Sequence, residues 1–324
     1  KLPFGKGYSI VEVQAPYGYV LDETPVYFDV TEDNSTEESG VTVVKVDKPN
    51  MAQKGTITVE KTGEVFFGVS VIGGVDESGN ELPAIYQPQY EKRGLPGAVY
   101  EIIAAEDIIT PDGTVRNQKG NVVDTVTTDE NGTAVSRELY LGKYEVREIT
   151  APHGMVLNPE PHCVELVYAG QNVAVTETAT SFENERQKVE ISLVKSIEQN
   201  ERFGIGTNGE MKNISFGLFA AEEIVSASGT SIPANGLVEI ISLNEDGTAK
   251  VKTDLPFGSY YVQELATDSH YKLSDTKYPV TFGYASQDTA VVKIAVNGGN
   301  AVENKLIYGS VSGKKIDENG DSLG

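Results

Sequence analysis

Apolar and polar positions alternate along much of this chain. Val41-Thr42-Val43-Val44-Lys45-Val46, Thr56-Ile57-Thr58-Val59 and Val189-Glu190-Ile191-Ser192-Leu193-Val194 are rich in β-branched residues and tend to period two. A pleated strand sends successive side chains to opposite faces, so this pattern predicts half-buried β-strands. Between such runs lie Pro111-Asp112-Gly113, Asp129-Glu130-Asn131-Gly132, Asn244-Glu245-Asp246-Gly247 and Asp317-Glu318-Asn319-Gly320. They supply the positive-φ positions that tight hairpins need. Amphipathic helical spacing is scarce. Short strands at regular intervals, broken by Gly and Asp turns, predict an all-β protein made of β-sandwiches.

The pattern repeats. TDENGTAVSRELYLGKYEVRE (128–148) aligns with LNEDGTAKVKTDLPFGSYYVQE (243–264), and GLPGAVYEIIAAED (94–107) parallels ISFGLFAAEE (214–223). LPFGKGYSIVE near the start keeps the end of the same unit, with one extra residue before its tyrosine. Each tyrosine strand ends on a glutamate: Glu12, Glu148 and Glu264. An asparagine follows 38, 36 and 40 residues later, at Asn50, Asn184 and Asn304. A lysine then follows each asparagine at a constant 11 residues, at Lys61, Lys195 and Lys315. Residues 64–94, including Val65-Phe66-Phe67-Gly68-Val69, have no counterpart in the next unit and read as an inserted hairpin or extended loop.

An amine, an amide and a carboxyl group are the ingredients of a self-made amide cross-link. In YEVRE, Tyr144, Val146 and Glu148 share a face, so the glutamate points with the apolar set. A single in-phase glutamate is more often a solvated rim residue, because glutamate is rarely fully buried. Three copies in register with Asn and Lys reverse that preference. Burial suits the chemistry: desolvation disfavours charge, lowering a lysine pKa and raising a glutamate pKa. The amine is then neutral and nucleophilic, and the glutamic acid can shuttle protons to the amide.

Composition narrows the function classes. Against 26 Lys and Arg stand 48 Asp and Glu, a net charge of −22 over 324 residues. The charge disfavours nucleic acid as a partner, and an anionic membrane surface with it, since both need clustered cations. With one cysteine, Cys163, there is no internal disulfide; in HCVELVY it reads as a strand residue, buried if its phase faces the core. No apolar run has membrane-spanning length. No cofactor or metal is implied: His153, His162 and His270 lack ligand spacing. GIGTNG (204–209) matches a dinucleotide fingerprint in letters only, without the strand before it or the helix after it. DENGDS (317–322) has Ser322 where a calcium loop requires Gly, and reads as a hairpin turn.

YSIVEVQAPYGY (8–19) and YEVREITAPHGM (144–155) resemble the E-box of Gram-positive pilins, and GLPGAVYEI resembles the same family's second-strand signature. YYVQELATDSHY (260–271) keeps the glutamate and the final tyrosine but lacks the Pro-Gly bend. The chain thus resembles, over nearly its whole length, the Cna B-type or SpaA-type prealbumin-like domains of surface proteins and pilins. The resemblance implies tandem Greek-key, inverse-immunoglobulin-like sandwiches, each joining a first-strand lysine to a last-strand asparagine with glutamate assistance. Carried over, Lys61 pairs with Asn184 through Glu148, and Lys195 with Asn304 through Glu264. Glu12, Asn50 and Lys315 belong to units whose other members lie outside the sequence. The expected domains are a half-unit over 1–52, complete units over 53–186 (with the insertion near 64–94) and 187–305, and the start of another over 306–324. On this reading the chain is an internal piece of a longer protein. By analogy with disulfides of similar loop length, each bond adds about 4–5 kcal/mol of chain entropy.

The implied function is a stalk or backbone of a Gram-positive surface protein or pilin-like adhesin, extracellular, joined by sortase to cell wall or pilus, and not an enzyme beyond one self-directed turnover. Two alternatives stay open: an adhesive module contacting a host matrix protein or glycan, or an accessory region of a cell-wall enzyme.

Overall fold

In the computed structural model, residues 1–32, 36–38, 41–75 and 81–322 are described. They form strands joined by turns, with three short 3-10 segments, and divide into two compact units. Unit 1 comprises residues 1–64 and 92–186; unit 2 comprises 65–91 and 187–324.

The core of unit 1 lies between two sheets. One has the order Val122–Thr127, Val99–Ala104, Gly142–Thr150, His162–Leu166, all antiparallel. The other is centred on the start of the strand Lys54–Val75. Thr133–Val135 and Leu139–Tyr140 pair with it antiparallel, and Val175–Asn184 pairs with it parallel. Ile57, Val59, Tyr100, Ile102, Tyr144, Val146 and Phe182 fill the space between. In Val99–Ala104 and in Tyr144–Glu148 buried positions alternate with less buried ones, so the pleat sorts the apolar side chains of these strands inward.

Unit 2 repeats this plan. Leu237–Ser242, Ser215–Ala220, Gly258–Ala266 and Tyr278–Phe282 make one sheet. Lys188–Ile197 is central in the other, with Thr248–Lys250 antiparallel and Val291–Ala295 and Val302–Asn304 parallel. Four residues, Val296–Gly299, interrupt the last strand as a 3-10 turn. They account for the longer Glu-to-Asn separation here, 40 residues against 36 in unit 1. The all-β sandwich expected from the alternation is what the chain forms.

Each tyrosine strand is pinned at its start. Tyr144 Oη donates to the Tyr140 carbonyl and Tyr260 Oη to that of Pro256, four residues back. Tyr8 reaches Pro3, five residues back, which absorbs the extra residue seen in the sequence. The bend after each glutamate is also shared. Tyr19, Met155 and Tyr271 donate their N–H to the carbonyls of Pro16, Pro152 and Asp268. The third bend has no Pro-Gly pair; instead Asp268 Oδ1 accepts the N–H of His270, an Asx turn doing the same job.

The insertion forms strand, but it packs elsewhere than on unit 1. Residues 65–91 group with unit 2, where Phe66, Val69 and Tyr86 lie against the core. Cys163 lies in the strand His162–Leu166 with its phase outward, so it is exposed. In the GIGTNG loop, Glu210 accepts N–H groups from Gly206 and Asn208 at 2.9 and 2.8 Å. A carboxylate of the chain already occupies these two N–H groups. Asp317 Oδ1 likewise accepts from Asn319 and Asp321 N–H, closing DENGDS as a turn.

Candidate functional site

Lys61 follows Ile57 and Val59 at period two and is completely buried, as they are. Lys195 follows Ile191 and Leu193 in the same way and is 2% exposed. Two turn glycines fix the lysine backbones. Lys61 N–H donates to Gly132 O, and Lys195 N–H to Gly247 O, at 2.7 and 2.8 Å. The parallel register then aligns the asparagine: Lys61 stands opposite Phe182 with Asn184 two residues on, and Lys195 opposite Val302 with Asn304 two residues on. Residues two apart on a strand share a face, so lysine and asparagine point together into the core. The glutamate comes across from the facing sheet, where Glu148 pairs with Tyr100 and Glu264 with Phe216.

In unit 1 the three groups touch. Lys61 Nζ donates to Asn184 Oδ1 and lies 2.9 Å from Glu148 Oε1. Asn184 Nδ2 donates to both carboxylate oxygens, at 3.0 and 2.9 Å. Tyr100 Oη donates to Oε1 at 3.4 Å. The Tyr100 and Phe182 rings stand 5.9 Å from the amine and exclude water from it. Burial pushes the Lys61 pKa down, and the nearby Glu148 opposes part of that shift. Burial, with the carboxylate beside it, pushes the Tyr100 phenol upward.

Unit 2 holds the same residues in a looser arrangement. Lys195 Nζ donates to the carbonyls of Ser196 and Val302, at 2.9 and 3.1 Å, and is 4.0 Å from Glu264 Oε1. Asn304 Nδ2 donates to Glu264 Oε1 at 2.7 Å and to Thr267 Oγ1 at 2.9 Å. Asn304 Oδ1 is buried without a hydrogen-bond partner. Burial lowers the Lys195 pKa to about 8, against the pull of Glu264. Phe216 brings no hydroxyl to Glu264, whereas Tyr100 does to Glu148.

Of the remaining residues, Glu12 and Asn50 meet each other: Asn50 Nδ2 donates to both Glu12 oxygens, at 2.8 and 2.7 Å, half-buried. Lys315 is exposed and outside any strand. Among the described residues no acidic, histidine or cysteine group is arranged to hold a metal.

Several contributors escaped the sequence reading. The backbone N–H ten residues after each glutamate donates to its carboxylate: Asp22 to Glu12, Asn158 to Glu148 and Ser274 to Glu264, at 3.1, 3.0 and 2.9 Å. A second feature is a buried glutamine eight residues before each paired lysine. Gln53 donates to Gly170 O and Val173 O and accepts from Ala169 N–H. Gln187 does the same with Ser286 O, Thr289 O and Ala285 N–H. Their constant spacing was the available signal; Ile307 stands eight before Lys315 and breaks it.

Two sandwiches of one topology, each closing over a buried Lys–Glu–Asn cluster, define a protein of tandem prealbumin-like modules. The chain belongs to the SpaA family of prealbumin-like fold domains, whose model matches residues 1–45, 87–181 and 203–299. It is similar to the trypsin-resistant surface T6 protein of Streptococcus pyogenes, 26% identical over 147 residues, which is 44% of this chain and 26% of that protein. Among solved structures it resembles the Bacillus anthracis TIE protein, at 18% identity and TM-score 0.46, covering 85% of this chain and 41% of that one. A streptococcal ancillary pilin aligns at 20% identity and TM-score 0.27, over 91% of this chain and 76% of that one. The chain therefore spans about a quarter of the T6 protein's length and 41% of the TIE chain.

Proposed function

We propose that this chain is a load-bearing stalk segment of a Gram-positive surface protein or pilus, and that each complete module locks itself with a Lys–Asn isopeptide bond. The observation that carries the reading is the contact of three buried groups in unit 1, Lys61, Glu148 and Asn184. A buried charged pair alone is weak evidence for stability, since desolvation offsets its attraction. A buried amine against an amide and a carboxyl group is instead a set of reactants. Neutral Lys61 Nζ attacks Asn184 Cγ while the Glu148 carboxyl protonates the amide; the Nζ–Cγ bond forms, the Cγ–Nδ2 bond breaks, and ammonia leaves. Glu148 takes the amine proton and passes it to the leaving nitrogen, and the proton lent to the amide oxygen returns to Glu148 as the new carbonyl forms, so it ends as it began. The sandwich fixes the reactants in contact, which supplies much of the acceleration. In unit 2, Lys195 first turns from the Ser196 and Val302 carbonyls toward Asn304. Membership of the SpaA family and likeness to a streptococcal surface protein support the extracellular placement.

Intact mass tests it. The folded chain should be lighter than its sequence by two ammonias, and Glu148→Ala and Glu264→Ala should each restore one. A mass equal to the uncondensed sequence would sink the proposal.

A further inference from the structure

The outer strand of the four-stranded sheet is covered differently in the two units: in unit 1 it meets Arg137, whose guanidinium donates to Val123 O and whose N–H donates to Asp124 Oδ2. In unit 1 that strand is Val122–Thr127, and Val122 is 50% exposed. Its counterpart in unit 2 is Leu237–Ser242, where Leu237 is 7% exposed. The difference is the insertion. Ile85 pairs in parallel with Leu237. Gln87 Nε2 donates to Val238 O at 2.9 Å. The Tyr86 ring packs by Gly236, where an added Cβ would come within 3.1 Å of it. The other arm of the insertion binds the turn over 226–230: Phe66 O and Phe67 O accept the N–H groups of Ala227 and Ser228, at 3.1 and 2.9 Å, and Val69 N–H donates to Thr230 Oγ1 at 3.0 Å. Tyr90 Oη donates to Asp254 O at 3.2 Å. Both arms thus combine backbone pairing with apolar burial, which is how a peptide strand is recognised at a sheet edge.

We propose that residues 65–75 and 81–91 are a donated structural part of unit 2. They complete its sheet edge and cover its core, so that this module depends on a segment written into the sequence of the preceding one. The inference stands apart from the cross-link chemistry, since no residue of either Lys–Glu–Asn cluster contributes to it.

The test uses the full chain with Phe66→Ala and Tyr86→Ala combined, read by hydrogen–deuterium exchange. Residues 226–242 should exchange faster by roughly tenfold or more, the scale expected when large aromatic burial is lost. Residues 122–127 should be unchanged. Unaltered exchange over 226–242, or equal acceleration in both units, overturns the proposal. A second variant replaces 65–91 with a short Gly-Ser linker. Unit 2 should then unfold at lower temperature while unit 1 does not, and a peptide spanning 65–91 should restore it. An unshifted unit 2 transition also overturns the proposal. Because the double substitution keeps the chain length, it reads the contact even where the deletion gives no soluble protein.

Discussion

Replacing Asn304 by Ala removes the electrophile of unit 2 and leaves Lys195 as a buried free amine. That predicts a pH dependence which the native chain should lack. The folded Lys195 pKa is about 8 and its ordinary value is 10.5. Between those values the unfolded chain binds more protons than the folded one, so stability rises with pH. Below about pH 8 both states are protonated and the cost is constant; above about pH 10.5 both are neutral and it is gone. Integrated from about pH 7.5 to about pH 9.5, unit 2 of the variant should gain about 2 kcal/mol. In the native chain the proposed bond turns the amine into an amide, which does not titrate, so this gain should be missing. Urea unfolding at a series of pH values measures it, with the transition assigned to unit 2 by exchange protection of Gly258–Ala266. The difference between native chain and variant cancels the tyrosines, which titrate in both. An equal rise in both proteins would mean that Lys195 is a free amine in the native chain. No rise in the variant would mean that burial does not lower its pKa.

Gly132→Ala should weaken unit 1 and slow its ammonia loss: Gly132 has φ +80, and an added Cβ would lie 2.3 Å from Lys61 O, pushing the lysine strand away. Calorimetry and intact mass read the two effects, and an unchanged mass deficit would show that the turn does not place the lysine. Gln53→Ala should destabilise unit 1 by about 1–2 kcal/mol, because it removes three hydrogen bonds made by a buried side chain to backbone groups that are themselves only partly covered; thermal unfolding that matches the native chain would refute this. Tyr144→Phe removes one hydrogen bond from a tightly packed ring and should cost about 1 kcal/mol in denaturant unfolding, with the ammonia deficit intact.

The repeating glutamate, asparagine and lysine were visible because each obeys a local rule: a period-two phase or a constant spacing. Glu148 lies in phase with Tyr144 and Val146, and Lys61 with Ile57 and Val59, so burial could be read along each strand. Gln53 could not be read that way. Its partners are Ala169, Gly170 and Val173, more than a hundred residues away, and a glutamine beside Lys54 looks like ordinary surface. The N–H ten residues after each glutamate was hidden for another reason: backbone donors leave no trace in residue identity. Cys163 turned outward because the strand His162–Leu166 buries Leu166, and a three-residue offset reverses the face. The insertion at 64–94 read as a hairpin or extended loop, and its binding surface, a sheet edge far along the chain, left no local mark. The third bend kept its geometry without Pro or Gly because an aspartate side chain can imitate a backbone turn.

The parallel pairing of first and last strands has a mechanical meaning independent of any covalent bond. In unit 1, Lys54–Gly63 runs alongside Val175–Asn184 in one direction over ten successive pairs. The chain therefore enters the sandwich at one end of this ladder and leaves it at the other. Pulled through those two points, the strands slide lengthwise and load the ladder in shear. Each hydrogen bond has a net worth of only about 1 kcal/mol, so a ladder opened from one end fails rung by rung under small forces. In shear the rungs must stretch together, and that cheap route is closed by the order of the strands alone.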